Sequence, residues 1–417
     1  MHLFNYKNGE LYAEDVAVKE IAAKFGTPVF IYSYNTLLRH FKAYKDAFGS
    51  FPHLICYAIK ANSNLAILKL FAKNGSGADV VSGGELYRAL KAGVPAKRVV
   101  YAGVGKTSEE VRYALKSRIL MFNVESESEL REIDGIAGKM KVKAPVALRI
   151  NPDIDTMTHP YISTGLRKHK FGIPMENALE FYKLALGMNN VSIVGIHKHI
   201  GSQLTKVLPF VDALKRILTL LDELTKQGIK IEYLDVGGGL GITYYDETPP
   251  NPAQLARNIL PLLKDRKLTL ILEPGRSIVG NAGILVTKTL YLKTGDEKDF
   301  VVVDAGMNDL IRPSIYSAYH HVQPVLKNRK EKIFADIVGP ICESGDFLAK
   351  DRELQRVLQG EYLAVMSAGA YGFTMSSNYN SRTRAAEVMV KGKHFSLIRK
   401  REIYSDLVKG ESIPKFI

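Results

Sequence analysis

Short apolar, β-branched runs recur through the first two thirds of the chain. They are LICYAI (54–59), ADVV (78–81), RVVYAG (98–103), ILMFNV (119–124), PVALRI (145–150), IVGIHKHI (193–200), IEYLDV (231–236) and LTLILE (268–273). Each is apolar without alternation and bounded by Gly, Pro or Asn, which marks a strand covered on both faces. Between them the period changes. Ser82 with Glu85, ahead of LYRALKAG and Gly93, carries helix start and stop signals, and Ser126 with Glu129 repeats the start. The stretch 208–227 has apolar residues at helical spacing and ends at Gly228. Eight strands alternating with helices predict a (β/α)8 barrel of the TIM type, with a doubly wound open sheet as the rival.

After residue 275 strand-like runs continue with few helical patterns between them: GILVTKTLYLK, DFVVVDA, KIFADIVG, EYLAVMSAG and AAEVMVKGKHFSLI. This predicts a mostly antiparallel β domain, a sandwich or barrel. VFIYSY, near residue 30, can add a strand to either part. The expected class is α/β plus all-β: a barrel over 31–275, with 1–30 and 276–417 forming the β domain.

Composition narrows the function. The formal charge is +14, but the Lys and Arg residues are scattered and no nucleic-acid motif accompanies them, so anionic small ligands or a solubility preference, not nucleic acid, are the expected reasons. Two cysteines, Cys56 and Cys342, imply no disulfide framework and point to a reducing cytoplasm. The first residues lack a signal-peptide pattern, and no apolar run reaches the roughly 18 residues of a membrane span. No Cys, His or Glu cluster has metal-ligand spacing, so no metal is expected.

In such a barrel, reactive residues belong at the C-terminal ends of the strands. Lys60 ends the first strand, and desolvation there would make its amine a Schiff-base nucleophile; a lysine snorkelling to the surface is the bland alternative. Asp79 lies at the second strand. His199 and Ser202 end the sixth, and Gly238 and Gly239 sit in the GGGLG run after the seventh. That run, with Gly275 and Arg276 after the eighth, suits a phosphate. Glu273 ends an apolar strand and needs a partner, either a protonated ring nitrogen or an arginine. His197 and His199 share a strand face, and the pattern does not separate them. In the β domain, Cys342 beside acidic residues suits a proton donor better than a thiolate. Tyr371 sits between glycines; Arg312 and Tyr316 come from NDLIRPSIY.

Together the segments YAIKAN, HIGSQ, DVGGGLG, EPGRSIV, DAGMNDLIRPSIY, CESGD and GAYGFTMSSNYNSR resemble the fold III pyridoxal-phosphate decarboxylases, in particular the diaminopimelate decarboxylase family. The resemblance implies a cofactor-carrying barrel, a C-terminal β domain and a homodimer with shared active sites. It implies Lys60 as the Schiff-base lysine, His199 stacked on the cofactor and Glu273 at the pyridine nitrogen. It also implies that Ser202, Gly238, Gly239, Gly275, Arg276 and Tyr371 hold the phosphate, with Cys342 of the other protomer as proton donor. Arg276, Arg312, Tyr316, Glu343 and Tyr371 would bind substrate. The expected substrate is meso-2,6-diaminopimelate and the product L-lysine, because two arginines and a tyrosine suit a distal carboxylate, whereas ornithine and arginine end in a cation alone.

Overall fold

The structure is a computed structural model describing residues 2–154, 170–327 and 330–417. All eight expected barrel strands form: β1 (His53–Ala58), β2 (Gly77–Val80), β3 (Val99–Tyr101), β4 (Met121–Val124), β5 (Ala144–Asn151), β6 (Val191–His197), β7 (Tyr233–Asp235) and β8 (Thr269–Leu272). Each pairs in parallel with its neighbour, and β8 closes on β1 through Leu270 opposite His53. The rival open sheet is thereby excluded.

The helices begin and end as the caps dictate. Ser82 Oγ accepts from Glu85 N, and Ser126 Oγ accepts from Glu129 N. The glutamates turn back one residue earlier than a reciprocal capping box: Glu85 accepts from Val81 N and Glu129 from Glu125 N. Helix Leu208–Lys226 buries Phe210, Leu214, Ile217, Leu221 and Leu224 on one face, as its spacing requires. Among the described residues no helix is long and apolar enough to cross a membrane.

The chain divides into two compact units, the barrel (38–243 and 247–278) and a second unit (1–37, 244–246 and 279–417). The second is built on a nine-stranded sheet. Its strands are β9 (Gly283–Lys293), β10 (Asp299–Val303), β11 (Lys332–Val338), β12 (Phe347–Gln355), β13 (Tyr362–Val365), β14 (Ala386–Lys391) and β15 (His394–Arg399), with Val29–Ser33 and Val322–Pro324. Val29–Ser33 sits between β9 and β14, so VFIYSY serves this unit. Its partnership with β14 and that of β10 with β11 are parallel, two exceptions to the expected antiparallel rule. Strand β12 (FLAKDRELQ) gave no apolar run because half its length faces solvent.

Candidate functional site

Seven of the eight barrel strands deliver a polar side chain at or just past their C-terminal ends. Lys60 lies in a single 3₁₀ turn directly after β1. Its Nζ is 2.7 Å from Asp79 Oδ2 on β2. The lysine side chain keeps 39% exposure while Asp79 has none. The amine is thus held by a carboxylate, where the sequence had suggested that desolvation alone would activate it. Burial and the charge of Glu273 push Asp79 up to about 7, against the pull of Lys60. Asp79 Oδ1 is buried with no hydrogen-bond partner among the described residues.

Glu273, directly after β8, is the hub of the network. Burial alone would raise its pKa, but His197 first, then Lys60 and His199, outweigh burial and hold it low. His197 Nε2 stands 3.4 Å from Glu273 Oε2. Asn123 Nδ2 on β4 donates to Glu273 Oε1 and to Asp235 Oδ2, each at 3.3 Å. Burial, then the neighbouring Glu273, raises Asp235 well above the carboxylate range. On β5, Arg149 NH1 is 2.9 Å from Glu125 Oε1.

The structure separates the two histidines that the pattern left together. His197 is buried beside Glu273, whereas His199 is half-buried past the strand end and Nδ1 accepts from Gly238 N at 3.3 Å. Burial, then Arg149 and Lys60, lowers the His199 pKa well below the imidazole range. Gly237 N donates to Asp235 Oδ1 at 2.9 Å, which fixes the start of the glycine run. A Cβ on Gly238 would lie 2.1 Å from the Glu273 carbonyl oxygen, and Gly239 has φ +118° with Gly201 O 2.5 Å from a Cβ. Only glycine fits either position. Arg276 is buried, and Nε and NH2 donate to Ser202 Oγ at 3.3 and 3.1 Å. Gly275 packs against Ala58 and Ala61. The barrel set expected from sequence therefore shares one end of the barrel.

The second unit gathers its own set from four separated segments. Arg312 and Tyr316 bracket a five-residue helix. Ser314 Oγ donates to Gly345 O at 2.7 Å, tying that helix to the CESGD loop. Asp346 anchors the loop by accepting from Met307 N and Ile341 N, both at 2.6 Å. Cys342 and Glu343 are exposed; Cys342 N donates to Asn380 Oδ1 at 3.2 Å, and Tyr379 Oη donates to Glu343 Oε2 at 2.8 Å. Tyr371 is half-buried with φ +56°, a strained backbone for a bulky residue. Tyr244 also belongs to this unit, although it follows the glycine run in sequence.

Sequence reasoning gave no role to Asn123, Asp235, Asp346, Tyr379, His320 or Tyr244. Asn123 and Asp235 carried a usable signal, since each is a polar residue at the end of an apolar strand. His320, in SAYHHV, carried none.

Residues 34–280 match the family described as pyridoxal-dependent decarboxylase, pyridoxal binding domain. The chain is similar to the diaminopimelate decarboxylase of Aquifex aeolicus, at 55% identity covering 97% of this chain and 96% of the relative. It resembles that of Haemophilus influenzae at 52% identity, covering 99% and 100%. The solved diaminopimelate decarboxylase of M. jannaschii, in co-complex with L-lysine, superposes with a TM-score of 0.94 at 43% identity, covering 99% and 98%. With these likenesses spanning both units, the chain belongs to the diaminopimelate decarboxylase family of pyridoxal-dependent decarboxylases.

Proposed function

We propose that this chain removes one carboxylate from meso-2,6-diaminopimelate as carbon dioxide and leaves L-lysine, using pyridoxal 5'-phosphate. The observation that carries the reading is the barrel-end set: an amine on Asp79, Glu273 in a buried network that lowers its pKa, and a glycine cradle beside Arg276 and Ser202. These residues fit the cofactor group by group. Lys60 would carry its aldehyde carbon. Glu273, held ionised, would face the pyridine nitrogen, and His199 the ring. Ser202, Gly238, Gly239 and the backbone of Gly275 and Arg276, with Tyr371, would hold the phosphate. When bound, the cofactor supplies an electron sink for the pair left by the departing carboxylate.

The chain's own residues do the rest. Asp79 holds the Lys60 amine at one position through their 2.7 Å ion pair. Arg276, Arg312 and Tyr316 grip the distal carboxylate, and Glu343 takes the distal ammonium. Cys342, exposed and beside Glu343, delivers a proton to the α-carbon of substrate. It would act from the second protomer of a homodimer, and the enzyme would work in the cytoplasm. The test is carbon dioxide release by the protein with pyridoxal phosphate, offered meso-diaminopimelate, ornithine, arginine and lysine in parallel. Release from diaminopimelate alone is expected. Release from ornithine instead would keep the cofactor and overturn the roles of Arg276 and Arg312.

A further inference from the structure

Arg312 is buried at the first turn of its helix, and its neighbours define its geometry. NH1 lies 2.7 Å from His320 Nε2. His320 is fully buried, and its Nδ1 lies 2.8 Å from the Met366 carbonyl oxygen. A carbonyl only accepts and a guanidinium only donates. The proton is therefore on Nδ1, and Nε2 offers its lone pair to Arg312. Tyr244 closes the arrangement. Its ring centroid is 4.6 Å from the Arg312 guanidinium carbon and 5.3 Å from the His320 ring, edge-on at 78°.

This is a particular way to hold a cation. An acid at position 320 would fix Arg312 equally well but would cancel its charge. A neutral imidazole accepts one of the five N–H donors without adding a negative charge. The tyrosine face fixes the guanidinium without adding a negative charge.

We propose that His320 and Tyr244 are positioning residues that aim Arg312 at the distal carboxylate of substrate, so that they set the preference for a substrate ending in a carboxylate. This deepens the role given to Arg312 above and rests on it. Loss of either residue loosens the aim without touching the reacting carbon, so its signature is in KM and not in kcat.

The experiment compares His320→Leu, His320→Gln, Tyr244→Leu and Arg312→Lys in the full-length enzyme loaded with pyridoxal phosphate. For each, KM and kcat for meso-diaminopimelate, the visible absorption band of the bound cofactor and the melting temperature are measured. A charge-assisted hydrogen bond of about 1.5–3 kcal/mol corresponds to roughly a ten- to hundredfold rise in KM for His320→Leu. Its kcat should stay within about threefold and its absorption band should not move. Gln, which keeps an acceptor at the Nε2 position, should recover most of the loss. Tyr244→Leu should show the same KM-selective rise, smaller, with the melting temperature separating it from loss of core packing. If Arg312→Lys raises KM while His320→Leu and Tyr244→Leu do not, the positioning proposal is overturned. Equal falls in kcat and absorption, tracking the melting temperature, would also overturn it by assigning a structural role. If Arg312→Lys itself leaves KM unchanged, the role given to Arg312 in the proposed function fails instead.

Discussion

The two units hold their candidate residues by opposite means. In the barrel, side chains from seven strands converge, and most are buried among other ionisable groups, so each sets the charge state of the next. In the second unit, Cys342 and Glu343 are exposed, and what is buried is the machinery behind them: Asp346 on two backbone amides, Arg312 against His320. The barrel fixes protonation; the second unit fixes position. That split matches the division of labour proposed above, with a cofactor that needs defined charges and a substrate that needs aiming.

The hardest test of the comparison removes the barrel's central amine. Lys60→Ala should lower carbon dioxide release by at least about a thousandfold and abolish the visible absorption band of the bound cofactor, while the second unit stays intact. Retention of an identical band would sink the assignment of Lys60. Cys342→Ala is the matching change in the second unit. It should lower turnover by about a hundredfold or more and leave the absorption band alone. Mixing these two inactive variants should restore part of the activity if each site draws on two protomers; no recovery after verified subunit exchange would count against a shared site.

How much of this was legible follows the same divide. Strand-end chemistry in a barrel is written locally: Lys60, the glycine run and Glu273 lie at or one residue past the end of an apolar run, and His199 lies one residue before the end of another. All eight strands could be placed because each is covered on both faces and reads as a continuous apolar stretch. What stayed hidden was pairing across long separations. Nothing in SAYHHV says that His320 faces Arg312, nor that Tyr244 leaves the glycine-run segment to pack against both. Strand β12 was invisible because a half-exposed edge strand need not be apolar. The choice between His197 and His199 needed the strand's end at His197, which apolar character overran by three residues.

A milder change probes positioning in the second unit alone. Asp346 accepts from two backbone amides with its two oxygens. Asp346→Asn keeps the shape but turns one acceptor into an NH2 facing an N–H. The cost should be roughly 1–3 kcal/mol, seen as faster hydrogen exchange at the Met307 and Ile341 amides and a several-fold rise in KM. The cofactor absorption band should not change. A shifted band would mean that the loop's hold reaches the cofactor chemistry, and the clean separation of charge from position would fail.

The smallest expected effect on activity comes from Lys198, which lies between the two histidines and alternates to the other face of the strand path. It is buried beside Phe210, Leu214, Leu255, Ile259 and Leu272, in the layer between strands and helices. Burial drops its pKa from 10.5 to about 7, against a weaker upward pull from Asp235. The folded form thus releases a proton that the unfolded chain keeps up to about 10.5, so stability rises with pH between about 7 and 10.5. Below 7 the full cost of the buried cation is present. At roughly 1.4 kcal/mol per unit, that cost is several kcal/mol at neutral pH. Lys198→Met fills the same space with an apolar chain. It should raise the melting temperature at pH 7 by several degrees and flatten the rise toward pH 10, with kcat/KM within about twofold to threefold. A lower melting temperature would show that Lys198 contributes binding energy where it sits. Charge would then be a structural element of the barrel wall as well as of its mouth, and the contrast between the units would have to be drawn at the strand ends alone.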